Sequence, residues 1–301
     1  MNKPVVYPAD WMFRSELQLK LDEFGRRFLA EGDSWFTIGA LNLPQVSNLL
    51  YQQQFGPSTV IISCAYPGDT LQQMGHNIND PYFDKLLRKK NFASYWEAIL
   101  LSAGGNDLID AAQQRAVNAD GSPAPLNARV LLTPAEAAAV HPGVAGPERY
   151  LSDTGWDLLA SYLRVNLEDL VTRRDQGPSA GRPLFLHTYS PPVVRPSGTV
   201  GAAKGWLYPA MVDYGIPEAD WQGVADLLFD RLRLLWLKAG QELPQVHVFD
   251  SATLVPVVPA KPGTTGVSGD WVNEIHLTPG GYRKVGAVMG PWIDSVLATY
   301  P

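Results

Sequence analysis

The sequence predicts an α/β fold in which a parallel sheet is covered by helices on both faces. Short apolar runs alternate with longer amphipathic ones, as strands joined by crossover helices do. Two of the runs, TVIISCA and AILLSA, are almost wholly apolar, which suits strands buried on both faces. The chain has 301 residues, 46% hydrophobic and 18% charged, enough for one large domain, 1–301, carrying irregular insertions.

Five strands follow from these runs: Arg27 to Glu31, Thr59 to Ala65, Ala98 to Ala103, Pro183 to Thr188, and Gln245 to Asp250. Helical patterns lie between them, at Leu43 to Gln54 and Asp80 to Tyr95. Tyr150 to Arg174 carries Leu158, Leu159, Tyr162, Leu163, Leu167 and Leu170 at three-and-four spacing, one core-facing stripe. Pro217 to Ala239 repeats the pattern with Trp221, Val224, Leu228, Leu232 and Leu235, and is expected to stop at Gly240. Gly280 to Leu297 forms the last helix. Three Pro- and Gly-rich stretches read as irregular: Asn118 to Gly146, Ser190 to Gly215, and Val255 to Gly269. They follow strands three to five, so they gather near the carboxyl edge of the sheet, where ligand sites form.

A net charge of -6 argues against a nucleic-acid partner, because phosphate binding needs a basic face. The single cysteine, Cys64, excludes an internal disulfide and a cysteine-rich metal site; within VIISCAY it reads as a buried, inert thiol. The amino-terminal stretch lacks the apolar core of a secretion signal, and no segment is apolar for long enough to span a bilayer. The expectation is a soluble, cytoplasmic protein, with export by a signal-independent route as the alternative. No histidine–carboxylate spacing suggests a metal, and no cofactor is expected.

The stretch FLAEGDSWFTIG sets Ser34 where the first strand breaks off through Gly32. Either Asp33 or Ser34 caps the next helix, or Ser34 is presented above the sheet as a nucleophile. Gly68 after the second strand, and Gly104, Asn106 and Asp107 after the third, sit at similar strand ends. His276 lies in DWVNEIHLTPGGY, a loop ahead of the last helix.

Ser34, Gly68, Asn106 and His276 fall in that order at one edge of the expected sheet. In this the chain resembles the SGNH hydrolases, the GDSL esterase and lipase family, over nearly its whole length. GDSW stands for the family's GDSL block, Gly104-Gly105-Asn106-Asp107 for its Gly-x-Asn-Asp block, and NEIHLTPGGY for its last block. Gly68 is the least specific match, since that block is little more than a glycine. The resemblance implies a flavodoxin-like three-layer α/β/α sandwich and an esterase or lipase reaction. It assigns Ser34 as nucleophile, His276 as base, and an oxyanion hole of the Ser34 and Gly68 backbone N–H groups with the Asn106 amide. Its substrates are small-molecule or lipid esters; acyl transfer, thioester cleavage, or a binding protein without turnover are the alternatives.

The last block departs from the family, whose aspartate three residues before the histidine is here Asn273. Asp270 and Glu274 are the candidate substitutes, and Asp270 is preferred because the loop can fold back. Trp35, His187, Trp206 and Tyr208 are candidate pocket residues. For the aromatic residues of the second irregular stretch the alternative is a satellite apolar cluster. For His187 it is a structural role, which also suits His76, His141 and His247.

Overall fold

The computed structural model of the chain describes residues 1–39, 46–75, 81–199 and 204–300. Its sheet has six parallel strands: β1 (Val5–Pro8), β2 (Arg26–Gly32), β3 (Thr59–Ser63), β4 (Ala98–Ser102), β5 (Leu184–His187) and β6 (Val246–Phe249). The order is β1-β3-β2-β4-β5-β6. The five expected strands are present, each within two residues of its expected bounds. The sixth, β1, was not legible: four residues ending in proline carry no strand periodicity. As an edge strand paired only with β3, it tolerates Pro8 at its last position.

Without β1 the sheet has the flavodoxin-like order. The chain steps from β2 to β3 on one side, then crosses back so that β4 lies on the other side of β2. That reversal opens a crevice at the carboxyl ends of β2 and β4, beside Ser34 and Asn106.

Every residue of β4 and β5 is buried, so both faces are covered. Phe185 and Phe249 pack on Trp292 of the helix Pro279–Leu297, which covers one face. The other face of β6 meets the helix Glu218–Glu242 through Val248 and Gly240. That contact explains why the helix runs past Gly240 rather than stopping there. A Cβ at Gly240 would lie 2.9 Å from the Val248 side chain, so the glycine serves close packing, not termination.

Other boundaries shift for local reasons. Asp80 and residues 43–45 of the expected Leu43 to Gln54 helix lie outside the described residues, as does His76. The described remainders hold Leu49–Gln52, Phe83–Arg88 and Lys90–Ala93, the last two separated by an extended Lys89. The helix Asp153–Asp175 buries Leu159, Leu163, Leu167 and Leu170, but Leu158 of the expected stripe is exposed. The stretch Asn118 to Gly146 is not wholly irregular. It contains the helix Pro134–Val140, opened by a Thr133–Glu136 capping box with proline in its first turn, signals already present in the sequence. Ser190 to Gly215 likewise contains the helix Leu207–Asp213. Cys64 lies just beyond β3 and is half-buried rather than buried. Among the described residues no helix is long and apolar enough to cross a membrane.

Candidate active site

Ser34 begins the short helix Ser34–Thr37 directly after β2. The Trp35 backbone N–H donates to Asp33 Oδ1 at 2.9 Å, so Asp33 is the cap and Ser34 is left to face the crevice. The two sequence alternatives are thus divided between two residues. Trp35 then bolts the turn to the histidine loop: its indole N–H donates to the Ile275 carbonyl at 3.0 Å. Ser34 is 8% exposed, enough for its hydroxyl to meet a small ligand.

His276 comes from that loop. The Ser34 hydroxyl and His276 Nε2 are 2.7 Å apart, and His276 Nδ1 lies 3.0 Å from Asn273 Oδ1. Which end of the Asn273 amide faces the ring follows from the backbone. The same Oδ1 accepts the N–H groups of Ile275 at 3.1 Å and His276 at 2.9 Å, and only oxygen can accept. The ring must therefore present Nδ1–H to Asn273, leaving a bare lone pair on Nε2 toward Ser34. Burial lowers the His276 pKa to about 4, because no charged partner offsets the desolvation of the imidazolium.

The loop keeps Asp270 away from this contact. Its backbone exchanges bonds with Val258 and Thr278, and its carboxylate takes the Val258 N–H at 2.7 Å and the Lys284 ammonium at 2.6 Å. Asp270 is thus a loop brace, and the preference for it as partner of His276 is corrected in favour of Asn273. Nor does Glu274 point with His276, because the segment turns instead of extending. Its buried carboxylate accepts the backbone N–H groups of Arg195 at 3.2 Å, Leu207 and Tyr208 at 2.9 Å, and Trp206. The Arg195 guanidinium donates to the carbonyls of Asn273 and Gly266, both at 2.6 Å. Arg195 and Glu274, neither singled out as a tether from sequence, therefore stitch the second and third irregular stretches to the histidine loop.

Gly68 lies in an exposed turn at φ 91°, a conformation that favours glycine, with open space where a Cβ would be. Asn106 Nδ2 donates to the Asp69 carbonyl at 3.0 Å, and Asp107 accepts the Leu71 N–H, so the residues after β4 hold the turn after β3 in place. One amide hydrogen of Asn106 is used there; the other has no acceptor among the described residues. Gly104, at φ 92°, has no such room, since a Cβ would lie 2.7 Å from the Trp236 ring. Asp107 is buried, and desolvation raises its pKa to about 6.

Ser34 and Asn106 line one cleft, which encloses about 20 Å³. Its apolar walls are Trp35, Ile109, Phe229 and Ile275, with Tyr189, Ser190 and Pro192 beside them. Of the expected pocket residues only Trp35 lines it. His187 is fully buried behind the nucleophile turn, its ring stacked on Trp35 at 5.4 Å. Trp206 packs edge-on against the His276 ring at 5.4 Å, and Tyr208 against Trp221 at 5.3 Å. The aromatic stretch is mainly a satellite cluster, with Met211 and Tyr214 buried. Phe229 and Ile109 carried no signal beyond helix periodicity. Among the described residues no group of three or more His, Cys, Asp or Glu is placed to hold a metal ion.

No family model matches the chain, and no curated protein matches it. Solved structures with similar folds include an extracellular lipase from Streptomyces rimosus, 12% identical over 90% of this chain and 99% of that one, with a TM-score of 0.47. A Clostridium thermocellum family 3 carbohydrate esterase is 14% identical over 91% and 97%, at 0.46. An aryl esterase of M. smegmatis is 12% identical over 90% and 99%, at 0.43. These are likenesses of fold, and the chemistry below rests on the geometry of the site.

Proposed function

We propose that the protein hydrolyses carboxylic esters of short acyl groups through an acyl-enzyme on Ser34. The observation that carries this reading is the 2.7 Å contact of Ser34 with His276 Nε2, in the one tautomer that can take its proton. In the first step Ser34 Oγ bonds to the ester carbonyl carbon while its proton passes to Nε2. The carbonyl oxygen becomes an oxyanion, for which the Ser34 and Gly68 N–H groups and the free Asn106 amide hydrogen are the donors. Collapse expels the alcohol, which takes the proton from His276. Water, deprotonated by His276 in turn, then releases the acid and restores Ser34.

Asn273 does not carry the defect of an asparagine placed in a serine-protease triad, where the wrong tautomer costs ~10⁴ in turnover. Two backbone N–H groups pin its oxygen toward the ring. It does lack charge, so the imidazolium formed during attack is less stabilised than beside a carboxylate. A slower enzyme, not an inert one, follows. This weakens the alternative of a binding protein without turnover.

The cleft encloses only about 20 Å³, room for little more than one water-sized group, and the aromatic stretch that suggested lipid packs mainly among its own neighbours. Both favour short acyl chains. Hydrolysis of a p-nitrophenyl ester series should peak at the shortest chains and vanish in Ser34→Ala. No turnover with any chain length would overturn the reading, and a maximum at long chains would overturn its substrate class.

A further inference from the structure

Behind the nucleophile turn lies a second set of polar side chains that the proposed reaction does not use. Ser102 Oγ, on β4, is 2.8 Å from Asp33 Oδ1 and 2.9 Å from His187 Nε2. His187 Nδ1 is 2.9 Å from the Thr188 carbonyl. Asp33 Oδ1 also accepts the Trp35 N–H, and Asp33 Oδ2 accepts the Tyr189 hydroxyl. All these side chains are at most 5% exposed.

The protons in this set can be counted. A carbonyl only accepts, so His187 Nδ1 carries a hydrogen. Ser102 has one hydroxyl hydrogen and stands between two close groups that would each accept it; the Tyr189 hydroxyl, farther off at 3.4 Å, already gives its hydrogen to Asp33. If Asp33 were a carboxylate and His187 a neutral ring, one of those contacts would set two lone pairs face to face. Two arrangements avoid this. In one, Asp33 is a carboxylic acid donating to Ser102, which donates to neutral His187. In the other, Asp33 is a carboxylate, Ser102 donates to it, and His187 is an imidazolium donating to Ser102. They interconvert when one proton passes from Asp33 to Ser102 as another passes from Ser102 to His187. Both hold one proton more than the carboxylate–neutral pair, and both are neutral overall, as a dry site favours.

We propose that Asp33, Ser102 and His187 hold one buried proton in common, and that His187 thereby acts as a positioning residue for Ser34. His187 touches no reacting atom. Through Ser102 it decides whether the Trp35 N–H, the bond that fixes the Ser34 turn, meets a carboxyl or a carboxylate. The environment contains little else that could set this proton. Tyr189 and Tyr282 face Asp33, both held well above their usual range by burial, and Glu31 lies two residues back along β2. Around His187 are the rings of Trp35, Phe36 and Tyr189. Beyond β6, Asp250 is paired with Arg233. Among the described residues no Lys or Arg is paired with Asp33. Burial raises the Asp33 pKa to about 6 and lowers that of His187 to about 4, which favours the acid with the neutral ring.

The proton count stands without the hydrolase reading; only its effect on Ser34 rests on it. The test is therefore made first by NMR on the intact chain, with ¹³C-carboxyl aspartate and ¹⁵N-ring histidine. Between about pH 4 and 6 a protonated Asp33 with neutral His187, or an ionised Asp33 with His187 imidazolium, supports the proposal. An ionised Asp33 beside a neutral His187 through that window overturns it. In His187→Phe, which keeps the ring packing, Ser102 can donate only to Asp33, so the Asp33 midpoint should fall by about one unit. In the Ser102→Ala background the same change should have no such effect. An Asp33 midpoint unmoved by His187→Phe overturns the coupling, and the unsubstituted protein decides the proton count if that variant does not fold. The kinetic counterpart is an inflection in kcat against pH that follows the Asp33 midpoint in both proteins while KM stays constant. An inflection that does not move contradicts the positioning role, whereas loss of all turnover would fault the hydrolase reading and leave the NMR result intact.

Discussion

Asn273 Oδ1 gathers three hydrogens at once: the backbone N–H groups of Ile275 and His276, and Nδ1–H of the His276 ring. A neutral side chain thereby does the orienting work of a carboxylate without its charge. The consequence for pH is direct. With its pKa at about 4, His276 stays an unprotonated base well below neutrality, so the acidic limb of kcat/KM should fall below the ordinary histidine value of 6.5.

Asn273→Asp should move that limb. The new carboxylate keeps all three acceptor contacts and adds a charge beside the ring. The Arg195 guanidinium already donates to the carbonyl of residue 273 at 2.6 Å, close enough to offset part of that charge. The limb should rise by about one to three units, and kcat should increase. Asn273→Ala should lower kcat by ~10²-fold or more, because the ring loses its tautomer control. Profiles of kcat/KM against pH for the three proteins check this; an unmoved limb in Asn273→Asp would contradict it.

Asn106→Ala should lower kcat by ~10²–10³ with a smaller change in KM. The same substitution removes the tie to the Asp69 carbonyl, so the turn bearing Gly68 should also become easier to open. Steady-state kinetics together with hydrogen exchange at residues 68–71 separate the two effects. A change in exchange without a change in kcat would assign Asn106 to the turn alone.

Glu274→Gln tests the tether. A carboxylate offers two accepting oxygens to four backbone N–H groups, whereas a glutamine offers one oxygen and turns a donor toward the rest. Each N–H left without an acceptor costs about 1–3 kcal/mol, so thermal unfolding should shift clearly downward. The pH limb should stay where it is, since Glu274 does not touch the ring. A shifted limb at unchanged stability would mean that Glu274 acts on His276 itself.

Much of this was legible in the sequence, and the failures have local causes. The strands were readable because burial on both faces leaves nearly continuous apolar runs, as in TVIISCA. The positions of Ser34, Asn106 and His276 were expected from strand ends and the family resemblance; in the structure Ser34 contacts His276 and lines a cleft together with Asn106. The partner of His276 was not readable, because it depends on how the segment 270–278 turns. Bridges from Trp271 to Ser268 and Leu277 fold it back, turning Asp270 to Lys284 and Glu274 inward to the Trp206 backbone. His187 looked like a pocket residue because it ends β5, yet its side chain lies beneath Trp35, a matter of packing that no spacing reveals.

Acid stability gives a further check with a defined sign. His276 keeps a folded pKa of about 4 against 6.5 for an unperturbed ring, so the unfolded chain binds a proton there that the folded chain refuses. That term is absent above about 6.5 and destabilises increasingly as pH falls toward 4. Asp107, raised to about 6, opposes it, since the folded chain binds that proton more tightly and gains as pH falls below 6. In His276→Gln the first term disappears. Its melting temperature relative to the unsubstituted protein should therefore climb as pH drops from 6.5 toward 4. A constant difference across that range would mean that His276 is not held neutral.

The most direct measurement concerns the nucleophile. A fluorophosphonate forms a stable bond only with a serine whose proton is being removed, so intact mass and peptide mapping after labelling identify that residue. The expected result is one adduct, on Ser34, absent in Ser34→Ala and formed far more slowly in His276→Gln. An adduct on another serine, or labelling of Ser34 at the same rate without His276, would contradict a nucleophile activated by His276 and held by Asn273.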